Sequence, residues 1–132
     1  VTASDDGTAR LWDLEGNELM VLRGHTSQVF SAQFSPDGKN LVTASGDGTA
    51  RIWNIEMKEN PIFKGHTGYV YDANFSPDGE KIVTAGWDYY AKLWNKSGIV
   101  IHSFQKHEKY AVNFSTFTDN GQNIFTSAEL TV

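Results

Sequence analysis

The sequence predicts an all-β chain built from a repeated unit of four short antiparallel strands. Three observations carry this. The stretch from Gly24, GHTSQVFSAQFSPDGKNLVTASGDGTARIWN, returns from Gly65 as GHTGYVYDANFSPDGEKIVTAGWDYYAKLWN, at an offset of 41 residues. Within each copy, runs rich in Val, Ile, Phe, Tyr, Trp and Thr are punctuated by Asp-Gly, Pro and Asn. No segment shows a helical period of useful length. A repeat of this length with four strands reads as one blade of a β-propeller.

The elements follow in order. In the unit 24–64, VFSAQFS alternates as a first strand and ends at the turn Pro-Asp-Gly. NLVTAS is an apolar second strand that ends at Gly-Asp-Gly. ARIWNI is the third strand, and PIFKG closes the unit before the next His. The unit 65–105 repeats this plan. The segment 1–23 enters inside a second strand, since Val1-Thr2 aligns with Val42-Thr43, Val83-Thr84 and Phe125-Thr126. The segment 106–132 opens at Lys106-His107, gains one residue before Val112, and reads STFTDNG where its siblings read FSPDG. The chain therefore holds about three blades' worth of sequence, starting and ending in mid-blade.

Composition narrows the function classes. The 132 residues are 39% hydrophobic, 13% aromatic and 20% charged, which is ordinary for a globular chain. The net charge is −5 with no basic block, which disfavours nucleic acid and anionic membrane surfaces as partners. There is no cysteine, hence no disulfide and no thiolate metal site, in keeping with a reducing, cytoplasmic setting. No apolar run approaches the ~20 residues that span a bilayer, and no signal-peptide pattern is present.

Gly24-His25 and Gly65-His66, the turn acids Asp47 and Asp88, Trp53-Asn54 and Trp94-Asn95, and the Trp12-Asp13 dipeptide together resemble the WD-repeat β-propeller family. The SPDG and DGTAR motifs resemble its bacterial members. The resemblance implies a hydrogen-bonded tetrad in each blade: His25, Thr43, Asp47 and Trp53 in one, His66, Thr84, Asp88 and Trp94 in the next. The chemistry is self-consistent, because an imidazole, a hydroxyl, a carboxylate and an indole N–H can satisfy one another without water. A third tetrad is expected to be split, with His107 and Thr126 meeting Asp6 and Trp12 across a ring joint. Leu130 stands where Asp6 would align, so the tail lacks its own acid.

Catalytic readings fare poorly. Thr43 or Ser45 beside His25 and Asp47 superficially resembles a nucleophile–base–orienter triad, yet one active site rarely recurs in every blade and no nucleophile elbow is present. Histidines 41 residues apart fall on different blades and do not converge on one metal ion. His102 lies outside the register and reads as a surface strand residue. Asp37, Asp78 and Asp119 belong to strand-connecting turns, and Glu15, Glu56 and Glu59 to a solvated face. No cofactor, metal or catalytic residue is expected.

What remains is a binding scaffold whose partner is a protein or peptide. Function on such a fold lives in the rim loops. The residues flanking the tetrads are Gln28 and Gly46 in one unit, and Tyr69, Trp87 and Tyr89 in the next. Gln28, Tyr69, Trp87 and Tyr89 are the candidate partner-binding residues, and Tyr90 reads as packing. Tyr89 replaces a turn glycine, where little strain is expected from the resemblance. The alternatives are a glycan-binding propeller with Trp87, Tyr69 and Tyr89 as an aromatic platform, and a propeller enzyme. Ring closure needs either the rest of a longer propeller or a second copy of the chain, two copies giving six blades, within the usual range of about 4–8.

Overall fold

The computed structural model describes residues 1–56, 61–105, 107 and 110–128. The expectations for Glu59, Lys106 and Leu130 lie outside them. The described residues form strands and turns only, so they contain no helix that could cross a membrane.

The strands form four antiparallel sheets, each a simple meander. The first holds β1 (Thr2–Ala3), β2 (Ala9–Trp12) and β3 (Glu18–Leu22). The second runs β4 (Val29–Phe34), β5 (Asn40–Ser45), β6 (Thr49–Asn54) and β7 (Ile62–Lys64). The third repeats it with β8 (Val70–Phe75), β9 (Lys81–Gly86), β10 (Ala91–Asn95) and β11 (Val100–Phe104). The fourth holds β12 (Val112–Phe117) and β13 (Ile124–Ala128). The fold is all-β, with two four-stranded blades flanked by two partial ones.

The strands differ in burial because they sit at different depths in the stack. In β5 every residue from Leu41 to Ser45 is buried, and in β9 every residue from Ile82 to Gly86. A strand covered on both faces carries a continuous apolar run rather than alternation, which is what LVTA and IVTA supply. In the fourth strands the outer faces return to solvent: Ile62 and Lys64 are exposed around a fully buried Phe63.

The core lies between sheets. Val42, Ala44, Ile52 and Phe63 of the second sheet pack against Val70, Phe75, Ile82 and Trp94 of the third. Ala9 and Leu22 of the first meet Val29, Leu41 and Trp53 of the second. Ala85 and Ala91 meet Val112 of the fourth. Each blade thus lends one face to the core on either side, as expected of a stacked repeat.

A polar seam also ties the innermost strands together. Asp72 on β8 accepts from the Ser115 N–H at 3.0 Å and from Asn74 Nδ2 at 2.9 Å. Asn74 Nδ2 also donates to the Ser115 carbonyl at 2.6 Å, and Ser31 Oγ on β4 accepts from the Ala73 N–H at 3.3 Å. Burial pushes the Asp72 carboxyl above the usual range, against the pull of these hydrogen bonds.

The strand-connecting turns share one device. Ser35 Oγ donates to Asp37 at 2.6 Å and Ser76 Oγ to Asp78 at 2.5 Å. In the third copy Thr118 Oγ1 donates to Asn120 at 2.7 Å. Asn120, rather than Asp119, is therefore the counterpart of the turn aspartates, because Asp119 occupies the proline position.

Candidate functional site

The second and third sheets each hold a closed relay of side chains. His25 Nδ1 lies 2.8 Å from Asp47 Oδ2, His25 Nε2 lies 2.7 Å from Thr43 Oγ1, and Trp53 Nε1 donates to Thr43 Oγ1 at 2.9 Å. In the next sheet the same contacts are His66–Asp88 at 2.7 Å, His66–Thr84 at 2.7 Å and Trp94–Thr84 at 2.8 Å. The His loop, the second strand, the acid turn and the third strand of one blade are fastened at a single point.

Proton positions follow from the chemistry. The indole can only donate, so Thr43 Oγ1 accepts from Trp53. Burial pushes the Asp47 carboxyl up, but hydrogen bonds from Thr49, His25 and the Thr26 N–H outweigh it and hold the pKa at about 2. An ionised Asp47 requires a proton on His25 Nδ1. Burial lowers the His25 pKa against the opposing pull of Asp47. The neutral ring then offers Nε2 as an acceptor for the Thr43 hydroxyl. The relay protons all run in one direction, from indole to hydroxyl to imidazole to carboxylate, and Asp47 accepts further bonds from Thr26 and Thr49.

A Thr–His–Asp line with these distances has the geometry of a nucleophilic triad. Thr43 and Thr84 are fully buried, however, and each hydroxyl is already engaged by both an indole and an imidazole. No scissile carbonyl can approach either oxygen, so these networks act as fasteners. Among the described residues no group of three or more His, Asp or Glu side chains gathers to hold a metal.

Within the single chain, the four residues expected to share a split tetrad across a ring joint stay in two pairs. Trp12 Nε1 donates to Thr2 Oγ1 at 2.9 Å, and Asp6 accepts from Thr8 and from Arg10. His107 Nε2 lies 3.0 Å from Thr126 Oγ1. The reason is local: Thr2 and Thr126 occupy the same place in the repeat, and a hairpin neighbour reaches Trp12 before a distant strand does. Trp12 is 37% exposed where Trp53 and Trp94 are 5% and 0%. His107 and Thr126 line a cavity of about 740 Å³ together with Phe104 and Phe117. Phe104 is the counterpart of Phe63, whose ring stands edge-on to Trp94 at 5.6 Å. The cavity therefore has the walls that surround a tryptophan in the neighbouring blade. His102 is exposed on β11 beside Phe104 and faces the same cavity.

The rim differs between the two complete blades. In the second sheet, the Gln28 carbonyl accepts the Gly46 N–H at 2.9 Å, and the Phe30 ring lies over Gly46, where an added Cβ would meet it at 3.4 Å. In the third, the Tyr69 carbonyl accepts the Trp87 N–H at 2.9 Å. Trp87 folds over Gly68, where an added Cβ would lie 3.0 Å from its indole. The glycine has moved from one partner position to the other: Ser27 with Gly46, Gly68 with Trp87.

The result is an aromatic cluster across the two blades. Tyr69 stands 6.3 Å from Tyr71 and 6.3 Å from Trp87, and Tyr71 stands 6.3 Å from Trp87. Phe30 joins at 5.4 Å from Tyr71 and 6.1 Å from Tyr69. Phe30, Tyr69 and Trp87 are 38%, 50% and 45% exposed, a cluster too open to be core. Sequence reasoning missed Phe30 and Tyr71, which follow the buried Val29 and Val70 and read there as ordinary strand residues. Gln28 is exposed but contributes no ring.

Tyr89 stands apart from this cluster and makes no ring contact with it, so the platform expected from Trp87, Tyr69 and Tyr89 does not form. Its backbone carries a finding instead. Tyr89 has φ 70, where its counterparts Gly7 and Gly48 have φ 80 and 81. The left-handed region costs an L residue about 1–2 kcal/mol, so the expectation of little strain gives way to a strained turn. The neighbouring Tyr90 also replaces a threonine. Thr49 serves Asp47 with its N–H at 2.9 Å and its hydroxyl at 2.6 Å, whereas Tyr90 offers Asp88 only an N–H at 3.3 Å. The Tyr90 ring packs under Lys92 Nζ, 4.9 Å from the ring centre.

The family model for the WD domain, G-beta repeat, matches residues 1–13, 16–54 and 57–95, more than half of the chain. Similar proteins include human WD repeat and SOCS box-containing protein 1, 54% identical over 43 residues, which are 31% of this chain and 10% of that protein. Rat Coronin-7 is 51% identical over 41 residues, 30% of this chain and 4% of the relative. Ribosome assembly protein 4 of Chaetomium thermophilum is 49% identical over 41 residues, 30% and 8% respectively. Each likeness spans about one repeat and a tenth or less of the relative's length. The matched segments end at Trp12-Asp13, Trp53-Asn54 and Trp94-Asn95, the third-strand tryptophans that close the relays or, at Trp12, pair with Thr2. With its repeats matched in sequence and folded as antiparallel blades, the chain belongs to the WD40 family.

Proposed function

We propose that the chain is a scaffold segment, non-catalytic and cytoplasmic, of the bacterial type suggested by its SPDG and DGTAR turns, that binds a protein or peptide on the rim bearing Gln28, Tyr69, Trp87 and Tyr89. The observation that carries this reading is the exposed cluster of Phe30, Tyr69, Tyr71 and Trp87. Aromatic residues of this kind are enriched in binding hot spots because they bury large area at small entropic cost. The relays support it indirectly: they hold the rim rigid while using up the polar groups that chemistry would need. Affinity capture with the chain and with Trp87→Ala and Tyr69→Ala tests the reading. Loss of the same partner from both variants, with unchanged far-UV circular dichroism, is the expected result; full recovery from both refutes it.

A second reading concerns ring closure. The cavity beside His107 and Thr126 has the surroundings of a tryptophan slot, and Trp12 is exposed where its counterparts are buried. Supply of a third strand to β13, by the rest of a longer propeller or by a second copy, fits both. Native mass spectrometry of the chain separates these sources: a dimer lost on Trp12→Ala supports a second copy, and a monomer at high concentration excludes it. A glycan ligand is less well supported, because the rings are inclined to one another rather than coplanar.

A further inference from the structure

We propose that the Tyr69–Tyr71–Trp87 cluster is a receptor for a fully methylated ammonium group carried by the partner protein; this rests on the reading of the rim as a protein-binding surface. The three ring centres form an equilateral triangle with sides of 6.3 Å. A point roughly 3 Å above its plane is about 5 Å from each centre, inside the ~6 Å reach of a cation–π contact. The rings are inclined at 81°, 53° and 61°. Rings so inclined do not make the flat platform that a sugar face requires, but they can present faces to one small cation from more than one side. Phe30 adds a ring from the neighbouring blade, 5.4 Å from Tyr71.

No cation among the described residues fills this place. Among the described residues the cations over rings are Arg51 at Trp53 and Lys92 at Tyr90, neither in the cluster. The net charge of −5 favours a cationic ligand over an anionic one.

The choice of a methylated group follows from hydrogen bonding. A primary ammonium is strongly hydrated and needs acceptors to replace its water. The carboxylates nearest the rings in sequence are Asp72 and Asp88, and both are committed. Asp72 accepts from Ser115 and Asn74, and Asp88 from His66 and Thr67. A quaternary ammonium has no N–H to satisfy and is served by ring faces alone.

The test is a titration of the full chain followed by the NMR signals of its four indole N–H groups. The probes are choline, its neutral carbon isostere 3,3-dimethylbutan-1-ol, and a short lysine peptide with and without trimethylation. Choline is expected to shift the Trp87 signal saturably and to leave the buried Trp53 and Trp94 signals in place. The neutral isostere and the unmethylated peptide are expected to bind about tenfold or more weakly. Tyr71→Leu, and the more exposed Tyr69→Leu should the first not fold, are expected to weaken choline by a similar factor. Equal binding of the neutral isostere overturns the proposal, as does unchanged affinity in a folded ring variant. Choline binding at least as tightly as the trimethylated peptide overturns the assignment to a partner protein. Partner capture that still depends on Trp87 without any ammonium binding refutes this inference alone and leaves the scaffold reading standing.

Discussion

Tyr89 offers a test in which side chain and backbone separate. The residue holds φ 70 in a turn whose siblings use glycine at φ 80 and 81. Replacing it with alanine and, separately, with glycine removes the ring in both cases, so any contact made by the ring cancels in the comparison. Two terms remain. Alanine pays about 1–2 kcal/mol for the left-handed conformation, and glycine loses about 0.5–1 kcal/mol through its freer unfolded chain. Tyr89→Gly is therefore expected to be more stable than Tyr89→Ala by about 1 kcal/mol, reversing the usual order of the two residues. Equilibrium urea unfolding of both variants measures this. With a slope of about 1–3 kcal/mol per molar, the midpoints should differ by roughly 0.5 M at unchanged slope. An alanine variant as stable as the glycine variant would falsify the argument that this turn is strained.

The relays make further tests. Thr43→Val keeps the shape but strands His25 Nε2 and Trp53 Nε1, and should cost about 2–4 kcal/mol in urea melts. Asp47→Ala should cost more than Asp88→Ala, by about 1 kcal/mol, because Asp47 also accepts the Thr49 hydroxyl; equal costs would show that this hydroxyl adds nothing. The pH dependence has a definite sign. The folded-state pKa of His25 is lowered from 6.5, and that of Asp47 from 3.8 to about 2. In both cases the unfolded chain binds protons more readily, so stability is full above the unfolded values and declines as pH falls, first below 6.5 and then from 3.8 towards 2. Melts at fixed temperature from neutral to acid pH should show both phases, and Asp47→Asn should shrink the second without removing it, because Asp6, Asp13, Asp37, Asp78 and Asp88 are also held below the usual carboxylate range. Asp72→Ala removes the acceptor of the Ser115 N–H and should cost about 2–3 kcal/mol; hydrogen exchange at Ser115 should accelerate with it, and unchanged exchange would mean that the seam is not holding β12.

Much of this was legible in the sequence because the repeat supplies its own comparison. A residue that returns after 41 positions as the same polar type, inside an apolar run, needs a buried partner, and the other returning polar residues are the only candidates. Thr43 and Thr84 are implied by the resemblance to the WD-repeat family, and their return after 41 positions agrees with it. The inserted residue of the third copy blurs that comparison. There Asn120 takes the place of the turn aspartates, and Asp119 only looks like their counterpart. The split tetrad turns on a choice that spacing alone cannot make, whether Thr2 or Thr126 serves Trp12; within one chain Trp12 reaches its hairpin neighbour Thr2, and the meeting of His107 with Asp6 and Trp12 belongs to ring closure. Phe30 and Tyr71 escaped because a strand pattern describes alternation, not which exposed rings face each other across two sheets. One signal for the rim was present. Ser27 with Gly46 and Gly68 with Trp87 place the glycine on opposite members of a pair, as two positions in contact allow.

The stretch Trp87–Tyr90 departs from its siblings in ways that each weaken the fold locally. Tyr89 accepts a left-handed backbone, and Tyr90 deprives Asp88 of a hydroxyl. Trp87 leaves an indole 45% exposed. Rules broken together, with only the exposed ring contacts of Trp87 and the Lys92 contact of Tyr90 in return, are expected where a site does something else. The prediction is a trade. Tyr89→Gly with Tyr90→Thr should raise the stability in urea melts by about 1 kcal/mol, through the relieved backbone and the returned hydroxyl, and the full sibling turn with Trp87→Gly, which gives up the ring contacts with Tyr69 and Tyr71, should stay at least as stable as the native chain. The same variant should lose partner capture and the response of the rim to choline. A restored turn that is less stable than the native one would mean that these aromatics are packing, and that the individuality of the blade lies elsewhere.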